Sequence, residues 1–203
     1  MTSIETAAAA LDEAVVATCD ALRSVADRDW STPAQESDWS IRQVVEHIGS
    51  CLLGYAGQVV GEPDKGWVVP DIPLEDQMTS TDAIAYLDTA GRMLAISVRA
   101  TPATGRAYHV YGRSDPAGFA CMGVIESLIH TDDVMRALDV SWDIPAEPCR
   151  VAAQRLFSAE VTELGQETLD ADPVGVLLWC CGRQPLAERE RRSKWRWNGL
   201  VAE

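Results

Sequence analysis

The chain has 203 residues, and its 31 Asp and Glu outnumber its 17 Lys and Arg, which gives a formal net charge of -14. Nucleic acids and anionic membrane surfaces are bound through basic groups, so this charge balance predicts neither partner. No stretch approaches the roughly 18 uncharged apolar residues of a membrane span. The N-terminal residues 1–5 also lack the basic start and apolar run of a signal peptide, so we expect a cytoplasmic protein.

The six cysteines fit a reducing compartment. None of them forms a C-x-x-C pair. In a chain of this length they are typical of reduced core thiols and not of a disulfide framework. The adjacent Cys180 and Cys181 are a candidate redox pair, although two small buried side chains are the simpler interpretation.

The dominant hydrophobic period is helical, with apolar residues three and four positions apart. It predicts four long helices, with approximate bounds of 2–27, 40–60, 80–100 and 115–140. Ser40 and Gln43 form a capping box at the start of the second helix. Asp115 and Pro116 supply an N-cap carboxylate and a first-turn proline to the fourth. A long loop with three prolines, residues 61–79, separates the second helix from the third.

Beyond residue 142 the pattern becomes shorter. It predicts helices at about 148–157 and 172–182, and the alternation of residues 195–197 predicts one edge strand. We therefore expect a mainly all-α protein. A four-helix bundle with long crossover connections occupies residues 1–142, and a helical extension, residues 143–203, packs on it as part of the same structural unit.

Two of the three histidines lie on the inward faces of predicted helices. His47 shares the apolar face of the second helix, while Glu126, His130 and Asp133 share one side of the fourth. Glu126 and His130 are four residues apart, so their side chains can converge. An unpaired buried carboxylate costs several kcal/mol. A divalent cation held by His47, Glu126 and His130 would compensate this cost and keep coordination positions open for water or substrate.

The spacing alone leaves other interpretations open, because E-x-x-x-H occurs often by chance and a buried His–Glu pair needs no metal. Cys51, one helical turn after His47, is either a further ligand or a small core residue. Asp133 could bind a ligand side chain or contact a substrate.

Three further side chains are candidates for substrate binding. Tyr55 shares the face of His47 and either lines a pocket or belongs to the core. His109 lies between two tyrosines, where it acts as an acid or base or braces a loop. Arg42, like Arg183, either binds an anionic substrate or is ordinary surface charge.

Several segments of the chain resemble one known family. Residues 39–49 (WSIRQVVEHIG) look like the first metal-ligand helix of the DinB-like superfamily, of the mycothiol-dependent maleylpyruvate isomerase N-terminal type. Residues 126–133 (ESLIHTDD) resemble its E-x-x-x-H-x-x-D motif, and residues 177–183 and 195–197 are similar to its tail.

The resemblance implies a DinB-like bundle with two long crossovers and metal ligation by His47, Glu126 and His130. It also implies a divalent metal, most often zinc, and the thiol mycothiol as cofactor. The chain departs from the isomerase in two respects. It has a short remnant where the isomerase carries a larger C-terminal α/β domain, and it has the Cys180–Cys181 pair.

The sequence therefore favours a metal-dependent enzyme in which a mycothiol-like thiol attacks a small electrophilic substrate, leading to isomerisation or S-transfer. Asp133 is the candidate catalytic residue, and Tyr55, Arg42 and His109 are the candidate substrate-binding residues. Two alternatives stay open: a metal-dependent hydrolase of a small molecule, and a divalent-metal-binding protein without turnover. The chain is expected to act as a monomer or a homodimer.

Overall fold

The computed structural model describes residues 2–70, 73–75 and 77–200, and four long helices dominate the first two thirds of the chain. They are α1 (Ile4–Arg23), α2 (Ile41–Gly61), α3 (Ser80–Ala100) and α4 (Pro116–Ala137). Helices α1 and α2 each pack against both α3 and α4, so the order around the bundle is α1, α3, α2, α4. The connections 24–40 and 101–115 therefore join helices on opposite sides of the bundle. The expected all-α bundle with long crossovers is confirmed.

Side-chain caps fix where the helices begin. The Ser40 hydroxyl accepts the backbone N–H of Gln43, and the Gln43 side chain accepts the backbone N–H of Ser40, as the capping box predicts. The Asp115 carboxylate accepts the N–H of Gly118 at 2.7 Å at the start of α4. At the start of α1 the cap is Ser3, whose hydroxyl accepts the backbone N–H of Thr6.

Helix α4 is buried over nearly its whole circumference, since 19 of its 22 residues are buried. The other bundle helices cover one side, and α5 (Ala146–Leu156) covers the other. Gly123 lies at the closest approach, because a Cβ there would lie 2.9–3.0 Å from the side chains of Leu94, Leu11 and Leu52. Any polar group on α4 must consequently find its partners inside the protein.

Residues beyond 142 pack onto the bundle through α5. They continue as three short helices, α6 (Ser158–Leu164), α7 (Gln166–Ala171) and α8 (Pro173–Cys180), and α8 packs against α5. The sequence pattern did not predict α6 and α7, because helices of six and seven residues show barely two turns of periodicity. The boundary at residues 142 and 143 stays a prediction.

The edge strand expected at residues 195–197 is wrong, since no strand forms there. A strand needs a neighbour for its backbone groups, and the structure offers this segment none. Its alternation serves side-chain packing instead: the rings of Trp195 and Trp197 lie 5.9 Å apart, and Trp195 also contacts Phe157. The backbone N–H of Asn198 binds the carbonyl of Leu156, which returns the tail to α5.

Within the part of the chain that the structure describes, no helix is both long and apolar enough to cross a membrane.

The Ser40 cap predicts a measurable loss of stability when it is removed. Ser40→Ala leaves N–H groups of the first turn without their partner and should cost about 1 kcal/mol, which corresponds to a fall in Tm of about 2–4 °C for a chain of this size. Thermal unfolding followed by circular dichroism measures it. Ser40→Thr, which keeps a capping oxygen, is the matched control, and an unchanged Tm for Ser40→Ala would contradict the capping role.

Candidate metal centre

Helices α2 and α4 place a carboxylate between two imidazoles. Glu126 Oε2 lies 3.5 Å from Nε2 of His47 and 3.2 Å from Nε2 of His130. The two imidazole rings are edge to face, with centroids 5.2 Å apart. The structure therefore brings together the three side chains that the sequence proposed as ligands.

The remaining oxygen of the Glu126 carboxylate is bound by a tyrosine. The Tyr55 hydroxyl donates to Oε1 at 2.9 Å, and burial raises the pKa of Tyr55 well above its ordinary value, so that it stays a donor. Burial alone would raise the pKa of Glu126 as well. The imidazoles of His130 and His47 outweigh this and hold the pKa of Glu126 below its ordinary value. The group is thus an ionised carboxylate inside the bundle.

A second buried carboxylate fixes the orientation of His130. Asp133 Oδ2 lies 3.3 Å from Nδ1 of His130, which directs Nε2 towards Glu126. Arg183 holds Asp133 with two hydrogen bonds, Nε to Oδ1 at 3.0 Å and Nη2 to Oδ2 at 2.7 Å. Burial lowers the pKa of His130, but Asp133 and Glu126 together outweigh it and raise the value to about 9. An imidazole with one nitrogen on a carboxylate is the usual arrangement of a metal-ligating histidine.

The separations between these donors fit a divalent cation. Two ligands bound at about 2.1 Å to a tetrahedral ion lie about 3.4 Å apart. The His47–Glu126 and His130–Glu126 separations of 3.5 and 3.2 Å bracket that value. Imidazole nitrogen and carboxylate oxygen are also donors that zinc-like ions accept. The donor types and these two separations are therefore compatible with the metal that the sequence resemblance implies.

Cys51 lies closer to this centre than the sequence analysis suggested. Its Sγ is 3.5 Å from Nε2 of His47, and the potential ligand atoms of His47, Cys51 and Glu126 all lie within 4.8 Å of one another. The sequence signal was the spacing of one helical turn between His47 and Cys51. Two ligand sets are consequently available, and they share His47 and Glu126.

A cavity of about 480 Å³ adjoins this centre. His47, Cys51 and Glu126 line it, and aromatic rings form much of its wall: Tyr55, Trp67, His109, Tyr111 and Trp197. The sequence analysis predicted a pocket position for Tyr55 and His109. It did not identify Trp67 or Trp197, because no local pattern shows which side chains of a loop or of the tail reach this cavity.

Buried Gln58 on α2 holds two of the loops that bear these rings. Its amide donates to the carbonyls of Gly66 and Tyr108 at 3.0 and 2.7 Å, and its carbonyl accepts the N–H of Val68. Trp67 and His109 are thereby fixed relative to α2. The signal in the sequence is a lone glutamine on an apolar helical face.

Two of the proposed site residues, Arg42 and Asp133, do not line the cavity. Arg42 donates to the carbonyls of Met78 and Glu75 at 2.7 and 2.6 Å, so it braces the loop before α3. Asp133 is 2% exposed and occupied by Arg183 and His130. Its geometry is that of a positioning group behind a ligand.

Loss of His130 should remove the metal. His130→Ala leaves two of the three proposed ligands and a cavity in place of the oriented imidazole. We expect the metal content of the purified variant, measured by inductively coupled plasma mass spectrometry, to fall to a small fraction of that of the wild type. An unchanged content would show that His130 is not a ligand.

Cys51→Ser separates the two ligand sets. We expect it to retain the metal, and the cobalt-loaded wild type to show no thiolate-to-cobalt charge-transfer band. Such a band in the wild type, lost in Cys51→Ser, would instead assign His47, Cys51 and Glu126.

Asp133→Asn should weaken the metal site without unfolding the protein. Removing a carboxylate partner of a ligating histidine typically costs about 10–100-fold in metal affinity, and competition with a chromophoric chelator measures it. Asp132→Asn is the matched control, because Asp132 is an equally buried neighbour that pairs with Arg136 and lies on the other side of the helix from the ligands. Equal affinities for the two variants would contradict a positioning role.

One of the comparisons with known proteins identifies a family. The chain matches the family model of the mycothiol maleylpyruvate isomerase N-terminal domain over residues 9–135, which is more than half of its length. No curated protein and no solved structure matches it significantly. His47, Glu126 and His130 all lie within the matched region, whereas Arg183 and Trp197 lie beyond it. The chain belongs to the mycothiol maleylpyruvate isomerase N-terminal domain family, a DinB-like family.

Proposed function

We propose that the protein is a metal-dependent enzyme in which a low-molecular-weight thiol, mycothiol or a close relative, attacks a small electrophilic substrate. The reaction is an isomerisation or an S-transfer. One observation carries the proposal: two of the proposed ligands, His47 and Glu126, line an open cavity of about 480 Å³. A structural metal site has its ligands enclosed, whereas a catalytic site keeps a coordination position accessible to a reactant.

His47, Glu126 and His130 would hold the cation, with zinc the metal most consistent with two imidazoles and a carboxylate. A bound divalent ion supplies a Lewis acid that lowers the pKa of a coordinated thiol, which increases the fraction of the nucleophilic thiolate. Family membership supports a thiol of the mycothiol type as the co-reactant.

The protein's own groups hold this centre in one arrangement. Tyr55 fixes the Glu126 carboxylate by donating to Oε1. Arg183 fixes Asp133, and Asp133 fixes the ring of His130. Because these groups are already in place, little reorganisation is needed when reactants bind. Asp133 is therefore proposed as a positioning residue rather than as a group that touches the substrate.

The cavity wall supplies the contacts to the substrate. Tyr55 and His109 lie on it, in agreement with their proposed role in substrate binding. Aromatic walls exclude water from the base of the cavity, which strengthens the electrostatic interactions there. Arg42 contributes by holding the loop that precedes α3.

A thiol co-reactant also bears on location. Thiols stay reduced in the cytoplasm, so the proposal is consistent with a cytoplasmic enzyme. Five cysteines are buried, and burial raises the pKa of each of their thiols. They are therefore not suited to act as nucleophiles themselves.

A product screen tests the proposed reaction. Metal-loaded protein is incubated with a mycothiol-type thiol and a panel of epoxides, quinones and cis-enone acids, and products are identified by mass spectrometry. We expect a thiol adduct or an isomer that forms only when both thiol and metal are present. Glu126→Gln should abolish it, because the amide cannot replace the carboxylate ligand, while Met93→Ala, an exposed change on α3, should not.

Other outcomes identify the alternatives. Product that forms without thiol and incorporates oxygen from labelled water indicates a hydrolase. Stoichiometric metal binding with no product from any electrophile indicates a binding protein without turnover.

A further inference from the structure

Aromatic rings surround His109 on the cavity wall. Its imidazole has ring-centroid distances of 5.4–6.3 Å to five of them: Tyr55, Trp67, Tyr111, Phe119 and Trp197. His109 itself is 5% exposed. A planar apolar molecule in this chamber would replace water against several ring faces and edges at once, which favours aromatic or conjugated ligands.

The hydrogen bond of His109 shows which of its nitrogens is the donor. Nδ1 accepts the backbone N–H of Tyr111 at 3.1 Å, so Nδ1 carries no proton. The ring is therefore neutral, in agreement with a pKa that burial lowers to about 4, and its proton is on Nε2. Within the described part of the chain, Nε2 has no hydrogen-bond partner. Nε2–H is thus a donor that a ligand in the cavity can use.

The charge of the cavity disfavours an anion. Among the lining residues that the structure describes there is no lysine or arginine. A divalent cation (+2), Glu126 (-1) and the Asp133–Arg183 pair (0) sum to +1, and a thiolate co-reactant brings the total to zero. A carboxylate on the substrate would then enter an apolar chamber with no opposite charge, which is costly.

We propose that this cavity selects neutral aromatic or conjugated carbonyl compounds, whose carbonyl oxygen accepts the Nε2–H of His109. The inference rests on the proposed function, since it names the substrate class of the same cavity. The hydrogen bond also lies where negative charge would develop on the carbonyl oxygen if a thiolate added to the conjugated carbon.

Three matched probes test the substrate class by isothermal titration calorimetry on metal-loaded protein. They are 2-acetylnaphthalene (neutral with an acceptor), 2-ethylnaphthalene (no acceptor) and 2-naphthoate (anionic). The ketone should bind about fivefold tighter than the hydrocarbon, as one hydrogen bond provides. 2-Naphthoate is also titrated after a chelator has removed the metal, so that its carboxylate cannot bind the metal directly. It should then bind at least about tenfold more weakly than 2-acetylnaphthalene.

Two variants separate the contribution of the His109 hydrogen bond from that of the aromatic wall. His109→Phe keeps an aromatic ring and removes the donor, so the ketone and the hydrocarbon should bind equally. Trp67→Ala should weaken both neutral probes by about fivefold. Ile96→Ala, exposed on α3 outside the cavity, should change neither.

The wild-type comparison is decisive even if a variant fails to fold. Equal binding of ketone and hydrocarbon overturns the role of His109. Binding of 2-naphthoate as tight as that of the ketone after chelation overturns the selection for neutral compounds. Neither result would affect the metal content or thiol dependence, so failure here is distinguishable from failure of the proposed function.

Discussion

An ionised carboxylate at the centre of a helical bundle constrains everything around it. Glu126 is nine-tenths buried, and burial of a charge without partners would cost more than a typical domain can lose. The bundle meets this constraint with His47, His130 and Tyr55 around one carboxylate. A chain of polar contacts runs outward from Glu126 through His130 and Asp133 to Arg183. Such an arrangement is poorly explained by stability alone, because an apolar core would serve better.

Much of the fold was predictable because it depends on local chemistry. The capping groups Ser40 and Asp115 mark the starts of α2 and α4, and the helical period fixes which side faces inward. The same period places His47 and, one turn apart, Glu126 and His130 on inward faces. Two helices of a bundle then bring these side chains together with little further information. The short helices α6 and α7 had too few turns to be recognised.

The remainder of the site depends on contacts between segments distant in the chain. Trp67 and Trp197 are 130 positions apart in the sequence and line one cavity. No local pattern predicts that meeting. Arg42 shows the converse: a cation in the first turn of α2 was a reasonable anion-binding candidate, but carbonyl groups of a neighbouring loop accept hydrogen bonds from its guanidinium. Whether a polar side chain is already satisfied is visible only in three dimensions.

The segment after the bundle also contributes to the centre. Arg183 follows α8 and holds Asp133, while Trp197 belongs to the tail that returns along α5. Both lie outside the region that defines the family match. The matched region therefore does not include the side chain that holds Asp133 or one of the rings that line the cavity.

Gln58 links the two halves of the site. The proposed ligand His47 and the loop-binding Gln58 lie about three turns apart on the same helix, α2. Gln58 thus fixes the loops that bear Trp67 and His109 to the helix that carries His47. A rotation or axial shift of α2 would therefore displace the imidazole of His47 and the aromatic wall of the cavity together. Binding at the metal centre and binding in the cavity are mechanically coupled through this one helix.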